Sequence, residues 1–464
     1  MKVLADSSHA LADGLAVIRK QFKVPEGFPP EVLAAAQEAS GRAPARHADR
    51  TDLPFVTLDP ATSTDLDQAF TIEKSGGDLL LRYAIADVAW FVEDGDAIDQ
   101  EAWKRGETLY LPDGRAPLYP PVLGEHAASL LPDGPRPAVI FTVRVAEDGA
   151  VRLDGAERAV IRSRAKLAYE NVRAEDLPAG FAEFAQRMSR NETRRGASRV
   201  DPPEQEVEKT ADGRFRLIFR PRLKSEEQNA TLSLATNMAI ADAMLAHHTG
   251  LFRTMAEPNA AGVMRLRRAA KAFGLDWPAS VGLHDYQRTL SAADPREAAL
   301  MLEIRRESPG ASYMPYTEGV RPWHAALAAT YAHATAPLRR LPDRYVVRAT
   351  LAICNGQAVP DAVTDAFARL PKVMARADGH AAQLNGAVIS LAEAVMLAGR
   401  EGEMFDAVVT GIVEKGAQVQ LADLPIMVNV ATPKPPAEGD RLKVRLVLSD
   451  PGERRTVFAP AEAG

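Results

Sequence analysis

Cysteine occurs only once, at Cys354, which excludes an internal disulfide framework and any cysteine-rich zinc site. Its neighbours Leu351, Ala352 and Ile353 predict a buried thiol in a helix. Long hydrophobic runs are missing too. The start, Met1-Lys2-Val3-Leu4-Ala5-Asp6, has no apolar signal-peptide stretch, and no run of about 18 uncharged apolar residues follows. A cytoplasmic protein without membrane contact is therefore expected. Excess positive charge is also absent. A formal net charge of −6 excludes a histone-like or polybasic binder, though a local basic channel can still hold phosphate under a negative total. Arginines do cluster, at Arg162-Arg164, Arg187-Arg199, Arg214-Arg222 and Arg265-Arg268, each readable as a solvated face or as part of such a channel. In Arg214-Phe215-Arg216-Leu217-Ile218-Phe219-Arg220 the alternation predicts a strand with one basic edge and one packed face.

What is present is a globular balance, 46% hydrophobic and 25% charged over 464 residues, enough for two or three domains. The pattern predicts an α+β multidomain chain. Residues 1–48 read as a helical hairpin, roughly His9 to Phe22 and Pro30 to Arg42, with prolines at the start of the second helix where a missing amide hydrogen costs little. Residues 49–400 read as a mixed unit whose strands give way to helices beyond Lys224, among them Arg339 to Cys354 and Ala381 to Leu397. Asp148-Gly149 between apolar runs marks a hairpin. Residues 401–464 return to short strands separated by glycine and proline, with Thr432-Pro433-Lys434-Pro435-Pro436 as a linker-like run, and fit a small five-stranded OB barrel.

Two constellations carry chemistry. The first is Leu58-Asp59-Pro60-Ala61-Thr62-Ser63-Thr64-Asp65-Leu66-Asp67-Gln68, a loop between two strand-like segments. Its crowded carboxylates repel one another unless a hard cation such as Mg²⁺ neutralises them, and the spacing fails the EF-hand rule. The second is Ala336-Pro337-Leu338-Arg339-Arg340-Leu341-Pro342-Asp343, which places two arginines just inside a helix expected to begin near Pro337. Guanidinium forks at a helix N-terminus suit a phosphate, whereas the plainer alternative is an ion pair with Asp343. Together, acidic loop and arginine clamp equip a chain for metal-assisted phosphodiester hydrolysis.

These residues resemble the ribonuclease II/R family and its RNB catalytic domain. The likeness runs in order through Phe28-Pro29-Pro30-Glu31-Val32-Leu33, the Asp59 loop, Ala84-Ile85-Ala86-Asp87-Val88, Arg105-Gly106-Glu107-Thr108-Leu109-Tyr110-Leu111-Pro112-Asp113, Ser163 to Glu170, and Thr335 to Arg340. It implies a processive 3′-to-5′ exoribonuclease that takes single-stranded RNA by its free 3′ end and releases 5′-monophosphates with Mg²⁺. It implies that Asp59, Asp65 and Asp67 are three of four active-site aspartates, with Gln68 in the place of the fourth and still able to ligate through its amide oxygen. Arg339 resembles the arginine at the scissile phosphate, with Arg340 beside it. Tyr110 resembles the aromatic that stacks on the terminal base, Tyr169 a tyrosine near the ribose, and Asp87 a further family acid. Departures are Gln68, Ala336 for a usual serine, Leu341 for a usual tyrosine, and no counterpart between Asn229 and Asn237 of a glutamate near the RNA. Fewer than fifty residues precede the catalytic unit, too few for the family's two cold-shock barrels, while the terminal barrel resembles the ribosomal-protein S-one type. A monomer is expected, since a channel closed by one chain needs no partner. The rival expectation, motivated by Gln68, is an RNA-binding protein on a degenerate nuclease.

Overall fold

The computed structural model describes residues 10–197, 204–209, 215–220, 222–291, 294–413, 416–422, 424, 426–432, 436 and 439–461. Its centre is a five-stranded sheet of Ala48–Asp49, Val151–Ile161, Arg136–Val145, Asp78–Ala86 and Gln68–Ser75 in that spatial order. All pairings are antiparallel except the short outer one, Ala48–Asp49 beside Val151–Ile161. Alternating apolar residues explain the layering. Leu79, Leu81, Tyr83, Val139, Phe141 and Val143 are fully buried, and the helix Lys224–Ala246 packs across the sheet with Leu232, Ala235 and Ala239. Asp148-Gly149 makes the expected turn between Arg136–Val145 and Val151–Ile161. Gly149 has φ +80°, and a Cβ there would stand 2.3 Å from the Arg187 carbonyl oxygen, so only glycine fits.

The two N-terminal helices form, as Ala10–Gln21 and Pro30–Ser40, but they serve different cores. Leu11, Leu15 and Ile18 pack with Leu391 and Leu384 of the long helix Asp361–Leu397, whereas Val32, Ala36 and Ala39 join the core under the central sheet. Asp361–Leu397 starts some twenty residues before the predicted Ala381 and runs through Pro371 without ending, because Leu370 and Met374 on either side are buried and hold the turn in place.

Among the described residues the C-terminal strands Met404–Val413, Gly416–Leu421, Met427–Ala431, Arg455–Pro460 and Arg441–Asp450 close into a barrel around Val409, Val419, Val430, Val444 and Leu446. The expected five-stranded barrel forms, with Arg455–Pro460 as its last strand in the chain. The linker prolines Pro433 and Pro435, like Arg199 and Arg214, lie outside the described residues. Cys354 ends the helix Leu341–Cys354 and is half-buried rather than buried, because the helix stops there and leaves one side open. No helix of the described residues is long and apolar enough to cross a membrane.

The arginine clusters resolve mostly into local pairs. Arg187 meets Glu183, Arg194 meets Asp148, Arg216 meets Glu208 and Arg265 meets Glu307, while Arg164 and Arg267 reach backbone carbonyls. Phe215 and Leu217 are buried as the packed face of Phe215–Arg220, so that half of the strand expectation holds. For these six arginines the charge is met locally, by a carboxylate or by backbone carbonyls.

Candidate active site

The acidic loop leaves the strand Thr57–Asp59, which pairs in parallel with Lys166–Ala168, and re-enters the central sheet at Gln68. Ser129 holds the loop's middle: its hydroxyl donates to the Thr64 carbonyl (2.7 Å) and accepts the Leu66 amide (2.9 Å). Lys166 donates to the Ala61 carbonyl at 2.8 Å. The carboxylates are thus set by a rigid frame, not by a flexible turn.

Asp59 and Asp67 occupy the interior of this frame. Burial pushes the Asp59 carboxyl up to about 6, against the pull of Arg339. Asp67 is 4% exposed, and burial pushes it up to about 8 although Arg339 and the Leu338 amide both favour its charged form. The Leu338 N–H donates to Asp67 Oδ1 at 2.7 Å, and Arg339 Nε stands 3.3 Å from Oδ2. Asp65 departs from the expected convergence of three aspartates. It is turned to Arg115, which also bonds the Thr64 hydroxyl (2.7 Å) and Glu125 (3.0 Å). Among the described residues no group of three acid, His or Cys side chains stands together as a ready cation cage. The reason is electrostatic: a cation already on the chain, Arg115, claims Asp65. What remains suits a hard divalent ion nonetheless: Asp67 is buried and Asp59 half-buried, and Arg339 does not offset the burial of either carboxyl. Magnesium commonly takes only one or two carboxylates and completes its shell with water and substrate phosphate. Gln68 is occupied at both ends of its amide, with Nε2 donating to the Thr335 carbonyl (2.5 Å) and Oε1 accepting from Tyr83 Oη (2.6 Å).

The two arginines part company. The helix begins at Leu341, not near Pro337, so both precede it: a single turn closes on the Ala336 carbonyl, and Arg340 then becomes extended and bridges to Glu107. Arg340 turns away and forms a forked pair with Asp343 at 3.1 and 2.8 Å, and Asp343, fully buried, also accepts the Ala336 amide at 2.7 Å. Arg339 keeps 46% of its side chain exposed. Burial works against its charge, but Asp67, Tyr110 and Asp59 together hold its guanidinium above the usual value, so it stays charged and open towards solvent. Its backbone is fixed from the other side: Thr108 donates to the Arg339 carbonyl (3.0 Å), and Leu341 to that of Gly106 (3.0 Å). Gly106 has φ +78° and would place a Cβ 2.9 Å from that of Ala377, so this contact requires glycine.

Tyr110 stands on the hairpin Leu109–Leu111/Gly114–Ala116, directly opposite Arg115, and the residue is 58% exposed. Burial of its hydroxyl, reinforced by Asp65, pushes it up to about 12, which places it in the electrostatic reach of the acidic loop. Tyr169 donates its amide to the Asp59 carbonyl (3.1 Å), and its hydroxyl accepts from Asn229 Nδ2 (2.8 Å), which lies 3.2 Å from the Leu58 carbonyl as well. Asn229 and Arg115 were not found by reading the sequence. Nothing in their neighbourhood is unusual, and only the fold brings them to the loop. Asp87 is elsewhere: it stands at the N-cap position of the short helix after Asp78–Ala86 without a side-chain capping bond, and sits buried between His47 (3.1 Å) and Arg158 (2.8 Å), a structural cluster.

Residues 47–356 match the RNB domain, and residues 403–461 match the RNase II-type exonuclease C-terminal S1 domain. The chain belongs to the RNB-domain family. It is similar to Ribonuclease R of Thermotoga maritima, 27% identical over 470 residues that cover 93% of this chain and 65% of that protein. It is also similar to Ribonuclease R of Escherichia coli, 29% identical over 350 residues, 70% of this chain and 42% of the relative. The chain thus spans about two fifths to two thirds of the length of these relatives. In fold it matches Mycoplasma genitalium RNase R in complex with ribose methylated single-stranded RNA, with TM-score 0.86 at 18% identity over 99% of this chain and 79% of that one. It also matches yeast Ssd1, a pseudonuclease, with TM-score 0.68 at 16% identity over 94% of this chain and 58% of that one.

Proposed function

We propose that the chain is a processive 3′-to-5′ exoribonuclease that hydrolyses single-stranded RNA from its free 3′ end to 5′-mononucleotides, using Mg²⁺. The observation that carries this reading is the opposition of Arg339 to Asp67 at 3.3 Å, an exposed cation over a buried acid. In this reading Arg339 binds the scissile phosphate and stabilises the charge that builds on it, at no cost in reorganisation because Thr108 and Asp67 already hold it. Tyr110 stacks on a base near the 3′ end and grips without reading sequence. The Tyr169 hydroxyl, oriented by Asn229, stands beside the Asp59 strand where a ribose 2′-hydroxyl would distinguish RNA from DNA. Asp59 and Asp67 would hold the cation. The chemistry Mg²⁺ supplies when bound there is polarisation of the phosphoryl group and activation of water. Asp65, held to Arg115, tunes the charge around this pair. Action in the cytoplasm as a monomer belongs to the same reading.

Incubating 5′-labelled single-stranded RNA with the folded protein and Mg²⁺ should give progressive shortening; RNA that stays at full length refutes the reading. The second reading, an RNA-binding protein without turnover, is favoured by Gln68 and by the likeness to a pseudonuclease. It expects RNA bound with or without cation and intact in both cases.

A further inference from the structure

Gln68 stands where the resemblance places an aspartate, and its surroundings point to a task an aspartate cannot perform. The loop from Ala334 to Leu338 carries Arg339 on its end and is hung on four side chains: Asn237, Asp343 and the neighbours Asp67 and Gln68. Asn237 Oδ1 accepts the Ala334 amide (3.0 Å), Asp343 Oδ2 the Ala336 amide (2.7 Å) and Asp67 Oδ1 the Leu338 amide (2.7 Å). These three are acceptors meeting N–H donors. The fourth anchor is reversed, because Gln68 Nε2 donates to the Thr335 carbonyl, whose residue is 2% exposed. No other donor to that carbonyl exists among the described residues.

The orientation of the amide follows from its partners. A carbonyl must be met by the NH₂ end, which leaves Oε1 for Tyr83, and Tyr83 is fully buried. Since the single phenolic hydrogen goes to Gln68, the Ser233 hydroxyl, 2.8 Å from Tyr83 Oη, donates to it. A one-way relay therefore runs from Ser233 through Tyr83 and Gln68 to Thr335. An aspartate at 68 has no hydrogen to give and would set a negative charge against a carbonyl oxygen.

We propose that Gln68 is a positioning residue: it latches the Thr335–Arg339 loop to the central sheet and so holds Arg339 opposite Asp67, instead of serving as a cation ligand. This rests on the hydrolase reading for its catalytic consequence, but not for the latch itself.

Two variants and two readouts test it. Gln68→Asp restores the motif's charge without the donor, and Gln68→Met keeps the volume without charge or donor. Amide exchange by mass spectrometry on cation-free protein should show Ala336, Leu338 and Arg339 opening faster in both variants, with the rest of the central sheet unchanged. Turnover with Mg²⁺ should fall by roughly tenfold or more in both, as expected for a misplaced catalytic group, with KM for RNA and the Mg²⁺ concentration at half-activity held within about twofold. Unchanged exchange in both variants would overturn the proposal. So would a Gln68→Asp protein that turns over faster, or that needs less Mg²⁺, for that marks position 68 as a ligand. If neither the native chain nor the variants cut RNA, the hydrolase reading fails, and the exchange arm alone decides the latch.

Discussion

Asp67→Asn should make the cation-free protein more stable while ending its turnover. The Asp67 carboxyl is pushed by burial to about 8 from an ordinary 3.8. Between those values the folded chain keeps a proton that the unfolded chain has released, so stability present at low pH is lost as pH climbs from about 4 to about 8. At about 1.4 kcal/mol per unit, that loss is roughly 2 kcal/mol by pH 5 and roughly 5 kcal/mol by pH 8. Asparagine stays neutral throughout and can still accept the Leu338 amide at the same oxygen. It costs the Arg339 pair, but that guanidinium is 46% exposed and readily rehydrated. Urea unfolding in EDTA at pH 5 and pH 8 should therefore show an advantage for the variant that grows with pH. RNA binding should persist and shortening of labelled RNA should stop. An advantage that shrinks as pH rises, or a variant that cuts RNA at the native rate, refutes the argument that this carboxylate is an only partly compensated buried charge kept for catalysis.

The paired arginines should separate function from folding. Arg339→Ala should lower kcat by roughly a hundredfold or more while leaving unfolding free energy within about 1 kcal/mol. Arg340→Ala should do the reverse in degree, costing about 3 to 5 kcal/mol in urea unfolding because Asp343 is left buried and unpaired. Tyr110→Ala should weaken single-stranded RNA binding by about 1 to 3 kcal/mol in fluorescence anisotropy, and Tyr110→Phe should not, since stacking needs the ring and not the hydroxyl. Asn229→Ala should narrow the preference for RNA over a DNA strand of the same sequence in competition binding, because Tyr169 loses the donor that orients its hydroxyl.

The acidic loop and the clamp were readable because local chemistry makes them odd: carboxylates without partners in Asp59 to Asp67, and two adjacent cations before Asp343. The split between Arg339 and Arg340 was half visible, since a pair with Asp343 was one of two readings, but which arginine pairs depends on where the helix starts. That start, Leu341, is set by tertiary bonds from Gly106 and Asp67 that no local pattern carries. Arg115 was hidden for a similar reason. A hairpin of three residues a side brings it under Asp65, fifty residues away in sequence, and an arginine in a short polar strand reads as solvated surface. The separate packing of the two N-terminal helices was equally out of reach, because amphipathic spacing says that a face is buried and not against which core.

Gln68 looked at first like a deficit, one negative charge short of the motif. The site's other charges change that assessment. Asp65 is already balanced by Arg115, and Arg115 is shared with Glu125, while Asp67 faces Arg339. A further carboxylate at 68 would lie half-buried beside the Thr335 carbonyl and the buried Tyr83, with the Asp67 carboxyl on the neighbouring residue, surroundings that would resist its ionisation. Such a group would remain protonated or demand a cation of its own. A neutral amide avoids both outcomes and adds a donor where a buried carbonyl needs one. The missing charge by itself therefore does not decide between the two readings. The test of competence falls on Asp59 and Asp67, the two carboxylates whose burial no side chain on this chain fully offsets.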